Sequence, residues 1–101
     1  MSQAYFDEGT KIQTKKCVAN LFKVLTKLPP RAAMSLYGDL LTESEAVMLA
    51  KRLEIAVSLL SGQTYRNIQL RLNVTPGTVA QIARVLKISG EGFKTAQQLF
   101  L

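Results

Sequence analysis

Small and polar residues between positions 75 and 87 recur at spacings that can place them on one side of a helix. Thr, Gln and Arg side chains can hydrogen-bond to base edges and phosphate oxygens, and Lys supplies charge against phosphate. A Gly among them allows close approach of the backbone to a ligand. The residues concerned are Thr75, Gly77, Thr78, Ala80, Gln81, Arg84 and Lys87. Their chemistry predicts non-covalent recognition of nucleic acid.

Catalytic chemistry has little support in this sequence. The chain has no His, one Cys and seven Asp and Glu residues, which lie mostly near predicted helix ends. No nucleophile lies beside a base, and no spacing is typical of metal ligands. We therefore expect neither an enzyme nor a metal site.

The segment around these polar residues reads as a helix-turn-helix over residues 64–86. Its apolar positions are spaced by four in the first helix and by three in the second, so each set lies on one helical face. With one further apolar residue in the turn, the two faces can close on a small core. The five residues are Ile68, Leu72, Val74, Val79 and Ile82. Any compact helix pair needs such a core, so the apolar pattern alone does not prove the motif.

The turn itself strengthens this interpretation. Asn73 stands at the bend, where a residue that tolerates positive φ is needed. Thr75 can cap the second helix, and Pro76 suits its first position. A helix-turn-helix lays its second helix in the DNA major groove.

A long helix is predicted before this motif, from Glu43 to about Ser61. Thr42 and Glu45 form a capping box, and Gly62 can end the helix. Most of its surface is apolar, and only a narrow polar strip remains, which consists of Lys51, Glu54, Ser58 and Ser61. So apolar a helix must be covered on most sides, which predicts a second copy of the chain. A central helix in a compact monomer is the alternative.

Shorter helices are expected at about residues 10–27, 31–37 and 93–100, which makes an all-α chain of about six helices. Pro29 and Pro30 end the first helix, and Gly38 is expected to end the second. In the first helix the core candidates are Ile12, Leu21, Phe22, Leu25 and Leu28. Residues 1–9 are expected to fray. The length of 101 residues suits one domain, residues 1–101.

Positive charge is concentrated in the half that carries the helix-turn-helix. The net charge is +6; residues 1–50 hold six Lys and Arg against five Asp and Glu, and residues 51–101 hold seven against two. Nucleic acid is the partner that this asymmetry favours, and together with the helix-turn-helix it leads us to expect double-stranded DNA. Simple solubility would account for the charge equally well.

Three features that the sequence lacks bear on the cellular compartment of the protein. Charged residues interrupt every apolar run near the start, so no signal peptide is expected. No apolar run is long enough to cross a membrane. Cys17 is a single cysteine, which cannot form an internal disulfide. A cytoplasmic location is therefore expected.

Read together, the long helix and the helix-turn-helix resemble the Trp repressor family. The resemblance covers about Leu40 to Phe93 and includes LLTESE, LLSG and TYRNI…VTPGTVAQI. The segments GQTYRNI and LKISGEGF are most similar to the Trp-repressor-like (YerC/YecD) subgroup. The resemblance implies an all-helical, intertwined homodimer that binds operator DNA, with tryptophan as the corepressor of the family's namesake.

Individual residues carry this resemblance unevenly. Thr42 and Arg52 match the family's ligand-pocket threonine and arginine, although Arg52 could equally pair with nearby Glu residues. Gln81 stands where Trp repressor has a second pocket arginine, so the guanidinium that would stack on an indole is missing there. Arg66 matches a basic DNA-contacting position. Pro76 and Gly77 replace other small residues at the tip of the recognition helix, so the operator sequence does not transfer.

The sequence thus favours one function and leaves an alternative of a different class. The first is a sequence-specific transcription regulator, in the form of a homodimeric repressor that reads DNA with residues 75–87. The second is a protein-interaction module that keeps the fold and uses its apolar helices to bind a partner.

Overall fold

The computed structural model describes residues 8–100, and these residues form six α-helices and no strand. The helices are α1 (Glu8–Lys27), α2 (Pro30–Leu40), α3 (Glu43–Leu60), α4 (Tyr65–Leu72), α5 (Pro76–Ile88) and α6 (Glu91–Gln97), followed by a 3-10 turn at Gln98–Phe100. The all-α prediction is confirmed. Of the segment expected to fray, residues 1–7 lie outside the described residues, whereas Glu8 and Gly9 already belong to α1.

Contacts between Cα atoms divide the chain into two compact units, one up to Leu41 and one from Thr42 onwards. The single domain expected over residues 1–101 therefore stays a prediction.

The first unit contains α1 and α2. Pro30 occupies a first-turn position of α2, where its missing N–H costs nothing. Gly38 does not end α2, which continues to Leu40, because the Leu41 N–H still bonds to the Tyr37 carbonyl. Neither helix has a buried residue within the described part, and the predicted core residue Phe22 is 60% exposed. This unit thus presents apolar side chains that it does not cover itself.

The second unit is built on α3. The predicted capping box opens this helix: the Thr42 hydroxyl accepts from the Glu45 N–H at 3.1 Å, and the Glu45 carboxylate accepts from the Thr42 N–H at 2.9 Å. A Schellman motif ends it, with Gly62 at φ 87° and the Gln63 N–H bonded to the Ser58 carbonyl.

The core lies where α3 meets α4, α5 and α6. Its fully buried residues are Ile55, Ala56, Ile68, Val79 and Ile82. Partly buried residues pack around them, namely Leu59, Leu72, Val74, Leu86 and Phe93. All five residues predicted to hold the helix-turn-helix together belong to this cluster.

Burial along α3 is confined to its C-terminal half, where residues 55–58 are buried. In the N-terminal half, Val47, Met48 and Leu49 are each about half exposed. Ser58 was expected on the exposed polar strip, and that expectation is wrong, since its side chain is 4% exposed. Its hydroxyl accepts a hydrogen bond from Arg71 on α4, which satisfies the buried oxygen.

A sharp bend joins α5 to α6. The helix α5 runs two residues beyond its expected end, and α6 begins at Glu91 instead of about Phe93. Gly90 makes the bend with φ 68°. A β-carbon at this position would lie 2.9 Å from the Leu86 Cδ2 atom and 3.0 Å from its Cα atom, so the close approach requires Gly.

Candidate nucleic-acid interface

The turn between α4 and α5 is fixed by local hydrogen bonds. Asn73 adopts the left-handed conformation, with φ 54°, and its N–H donates to the Gln69 carbonyl. Thr75 caps α5 by accepting from the Thr78 N–H at 3.3 Å. The hydroxyls of Thr75 and Thr78 also share a hydrogen bond of 2.9 Å. Both hydroxyls therefore already take part in hydrogen bonds that stabilise the start of α5.

Two faces of α5 differ sharply in burial. Val79 and Ile82 are fully buried and attach the helix to the core. The opposite face is exposed and carries small or polar residues, which are Gly77, Ala80, Gln81, Arg84 and Lys87. Thr78 is half-buried at the boundary. A β-carbon at Gly77 would meet nothing within 4 Å, so the fold itself does not require Gly at this position.

Beside this exposed face lies a depression of about 540 Å³ between the end of α3, the start of α4 and α5. Most of its lining residues are apolar, and those with polar side chains are Tyr65, Arg84 and Lys87. The lining residues, which define the basic groove, are Leu59, Leu60, Tyr65, Ala80, Ala83, Arg84, Leu86 and Lys87. Two of these residues are cationic and none is a carboxylate, a composition that favours an anion.

Sequence reasoning did not single out Tyr65 as a site residue. Its ring is about half exposed, and it occupies the first position of α4, directly after the N-cap Thr64. The signal that could have found it is local, because a phenol at a helix start lies beside unpaired backbone N–H groups.

A second depression, of about 320 Å³, lies between α3 and the start of α5. It brings together two of the three residues predicted for a ligand pocket, Arg52 and Gln81. The residues that line this α3–α5 cavity are Met48, Lys51, Arg52, Asn73, Val74, Thr75, Thr78 and Gln81. Met48 and Lys51 were not predicted as site residues.

Thr42, the third predicted pocket residue, does not line the α3–α5 cavity. Its hydroxyl accepts from the Glu45 N–H in the capping box. The pKa of Glu45 is lowered below its ordinary value, mainly by the hydrogen bond from the Thr42 backbone N–H and to a smaller extent by the hydrogen bond with the Thr42 side chain. In this chain Thr42 thus organises the start of α3.

The basic side chains of this unit are not equivalent. Arg66, predicted to contact DNA, is exposed on α4 and makes no hydrogen bond or ion pair with residues 8–100. Arg71, in the last turn of the same helix, instead donates to Ser58 and, at 3.1 Å, to the Gln63 side chain. Lys94 lies 3.6 Å from the Glu91 carboxylate. The cation of α4 that remains available to a partner is therefore Arg66.

Other kinds of site are not formed by the described residues. Within residues 8–100 no three His, Cys, Asp or Glu side chains cluster in a way that could hold a metal ion. Over the same range, no helix combines the length and the apolar character needed to cross a membrane.

Comparison with known proteins agrees with this architecture. The family model described as Trp repressor protein matches residues 16–99. The uncharacterized protein YerC of Bacillus subtilis (strain 168) is 32% identical over 60 residues, which are 59% of this chain and 58% of that relative. The aligned part thus spans less than two thirds of the relative's length. No solved structure matches. With most of its length matched, the chain belongs to the Trp repressor family.

Proposed function

We propose that this protein is a sequence-specific DNA-binding transcription regulator that acts as a homodimeric repressor and places α5 in the major groove. Its family is one of DNA-binding regulators. The observation that carries the proposal is the exposed, small and polar face of α5, which adjoins a groove lined by cations and free of carboxylates.

Base contacts come from the outer face of α5. Gly77 and Ala80 leave room for the helix to approach base edges, while Gln81 and Arg84 carry the hydrogen-bonding groups. Thr78 contributes less, because its hydroxyl already bonds to Thr75.

Phosphate contacts come from the basic groove and from α4. Lys87 and the Tyr65 hydroxyl lie at the groove, and Arg66 is exposed on the same helix as Tyr65. Such contacts set register and orientation on the duplex without reading sequence.

The homodimer is supported by apolar surface that one chain leaves exposed. In α3 this surface comprises Val47, Met48 and Leu49, and in the first unit it includes Ile12, Phe22 and Met34. Burial of such side chains by a second copy would be stabilising. A two-fold pair would also present two α5 helices to successive major grooves, about 34 Å apart.

A ligand response is supported by the α3–α5 cavity, because a molecule bound there would touch both the long helix and the recognition helix. The cavity offers Lys51 and Arg52 to an anionic group, but Gln81 provides no guanidinium plane for an indole. We therefore expect added tryptophan to leave DNA affinity unchanged.

Selection of duplexes from a random pool, with and without tryptophan, tests the proposal. A two-fold symmetric site recovered in both conditions is the expected result. If no duplex is enriched and the pure protein is monomeric, the protein-interaction module becomes the better explanation.

Titration of the selected duplex at several salt concentrations then tests the residues. Arg84→Ala and Gln81→Ala should each weaken binding by about 1–3 kcal/mol if they make base contacts. Lys94→Ala is the matched control, since this cation lies on α6 and is paired with Glu91. Equal losses in all three variants would contradict the assigned interface.

A further inference from the structure

Arg71 is the cation of the helix-turn-helix whose hydrogen bonds point back into the protein. Its guanidinium donates through Nη2 to the Ser58 hydroxyl and to the Gln63 side-chain oxygen. Ser58 belongs to α3, Gln63 to the connection after it, and Arg71 to the last turn of α4. One side chain thus joins the first helix of the motif to the end of the long helix.

The two acceptors are the two ends of the Schellman motif that terminates α3. The Gln63 N–H bonds to the Ser58 carbonyl at 3.0 Å, while Arg71 bridges the side chains of the same two residues. The positive charge also lies near the C-terminus of α3, where the helix dipole favours a cation. This arrangement, the Arg71 bridge, therefore stabilises both the end of α3 and the position of α4 against it.

The Ser58 end of the bridge is buried, although the Arg71 side chain itself is exposed. The Ser58 side chain is 4% exposed, and within residues 8–100 no buried side-chain N or O atom lacks a partner. Hydrogen bonds that involve a charged group contribute more than neutral ones. Because α4 packs on both α3 and α5, a shift of α4 would move the recognition helix as well.

We infer that Arg71 is a positioning residue for DNA binding, which sets the angle of the helix-turn-helix on α3 and does not contact phosphate. This inference rests on the proposed DNA-binding function. It assigns different roles to two exposed arginines of α4: Arg66 meets DNA, and Arg71, through its hydrogen bonds within the protein, holds the helix in place.

The test compares Arg71→Gln with Arg66→Gln, which removes the same charge from the same helix. Duplex affinity is measured over a range of salt concentrations, at a temperature where circular dichroism shows each variant folded. A cation that contacts phosphate contributes a slope of about −0.9 to the plot of log K against log salt. We expect Arg71→Gln to bind about tenfold more weakly with the wild-type slope, and Arg66→Gln to have a shallower slope.

Two further variants separate positioning from loss of stability. Ile68→Val removes one methylene from the core and should lower the unfolding midpoint without lowering the affinity of the folded protein. Arg71→Lys keeps the charge but cannot reproduce the fork of the guanidinium, so it should restore only part of the affinity. A slope change in Arg71→Gln equal to that of Arg66→Gln, or an unchanged affinity, would overturn the inference.

Amide hydrogen exchange of the segment 64–73 provides a measurement that needs no DNA. We expect faster exchange in Arg71→Gln than in Arg66→Gln, because only the former loses the bridge. Equal exchange in both variants would overturn the inference even if DNA binds. Failure of the wild type to bind any duplex would instead contradict the proposed function. The expected difference in hydrogen exchange between the two variants does not depend on that result.

Discussion

Gly90 shows how one residue determines the path of the chain after α5. Its positive φ lies in a region that other residues adopt only at a cost, and the position is buried against Leu86. The backbone of Leu86 cannot give way as the end of a flexible side chain can. Gly90 is therefore fixed both by its conformation and by its surroundings.

Gly90→Ala should lower the free energy of unfolding by about 1–3 kcal/mol, because the β-carbon meets the Leu86 backbone in a strained conformation. Urea unfolding followed by circular dichroism measures this change. Gly92→Ala is the matched control, since a β-carbon there meets nothing within 4 Å, and it should stabilise by about 0.4–1 kcal/mol. Equal effects of the two substitutions would contradict this account.

Whether a residue's role could be predicted from sequence depended on how far away its partners lie. Asn73 and Thr75 were predicted correctly, since a left-handed bend and an N-cap are set by neighbours close in sequence. Ser58 was placed wrongly on an exposed strip, because its partner Arg71 lies thirteen residues further along the chain. The need for Gly at position 90 depends on where α5 and α6 end and begin, which the sequence pattern did not fix.

At the scale of elements, the start of α3 depends on reciprocal hydrogen bonds between Thr42 and Glu45. Thr42→Ala removes the hydroxyl that accepts from the Glu45 N–H, and it should cost about 0.5–2 kcal/mol of stability. Ser44→Ala, in the same turn but outside the capping box, should change stability by less than about 0.5 kcal/mol. Thermal unfolding of both variants and the wild type measures these stability differences. A larger loss of stability in Ser44→Ala than in Thr42→Ala would contradict the role of the cap.

The same capping box predicts a dependence on pH. Hydrogen bonds from Thr42 lower the pKa of Glu45, so the folded state holds this proton less tightly than the unfolded state does. The contribution of ionised Glu45 is therefore complete above its ordinary pKa and is lost as pH falls through the lowered value. The stability difference between wild type and Glu45→Gln should be constant near neutrality and shrink in acid. A difference that grows in acid would contradict the direction of the shift.

Helix types and order followed from the sequence more reliably than helix ends did. The helix-turn-helix of α4 and α5 was predicted nearly as found, because its caps, its bend and its apolar spacing are all local signals. The predicted end of α2 at Gly38 is wrong, since Gly38 does not adopt a positive φ and the helix continues through it to Leu40. The basic groove depends on packing among α3, α4 and α5, and only its cations could be foreseen.

At the scale of the whole molecule, the described residues include large apolar side chains that the chain itself leaves exposed to solvent. Leu49 is 51% exposed in the middle of a well-formed helix, and Val47 and Met48 beside it are similar. Covering such side chains by a second copy would stabilise both chains through burial of apolar area.

Sedimentation equilibrium at micromolar concentration should give a mass twice that of the 11.1 kDa chain. Leu49→Glu should shift the mass toward the monomer, because it would bury a charge in the interface. Ala80→Glu places the same charge on the exposed face of α5, so it should leave the dimer intact and abolish duplex binding. A wild-type monomer, or an undisturbed dimer in Leu49→Glu, would contradict the proposed association through α3.

Open space around Gly77 has a consequence for the proposed DNA-binding function. A β-carbon added there, at the start of α5, would meet no atom within 4 Å outside its own helical turn. Under the proposed DNA-binding function, such a substitution would change the contact surface at the tip of α5 while the scaffold stays unchanged. The fold thus has room for a methyl group at this position, and Gly77→Ala would need no compensating substitution elsewhere.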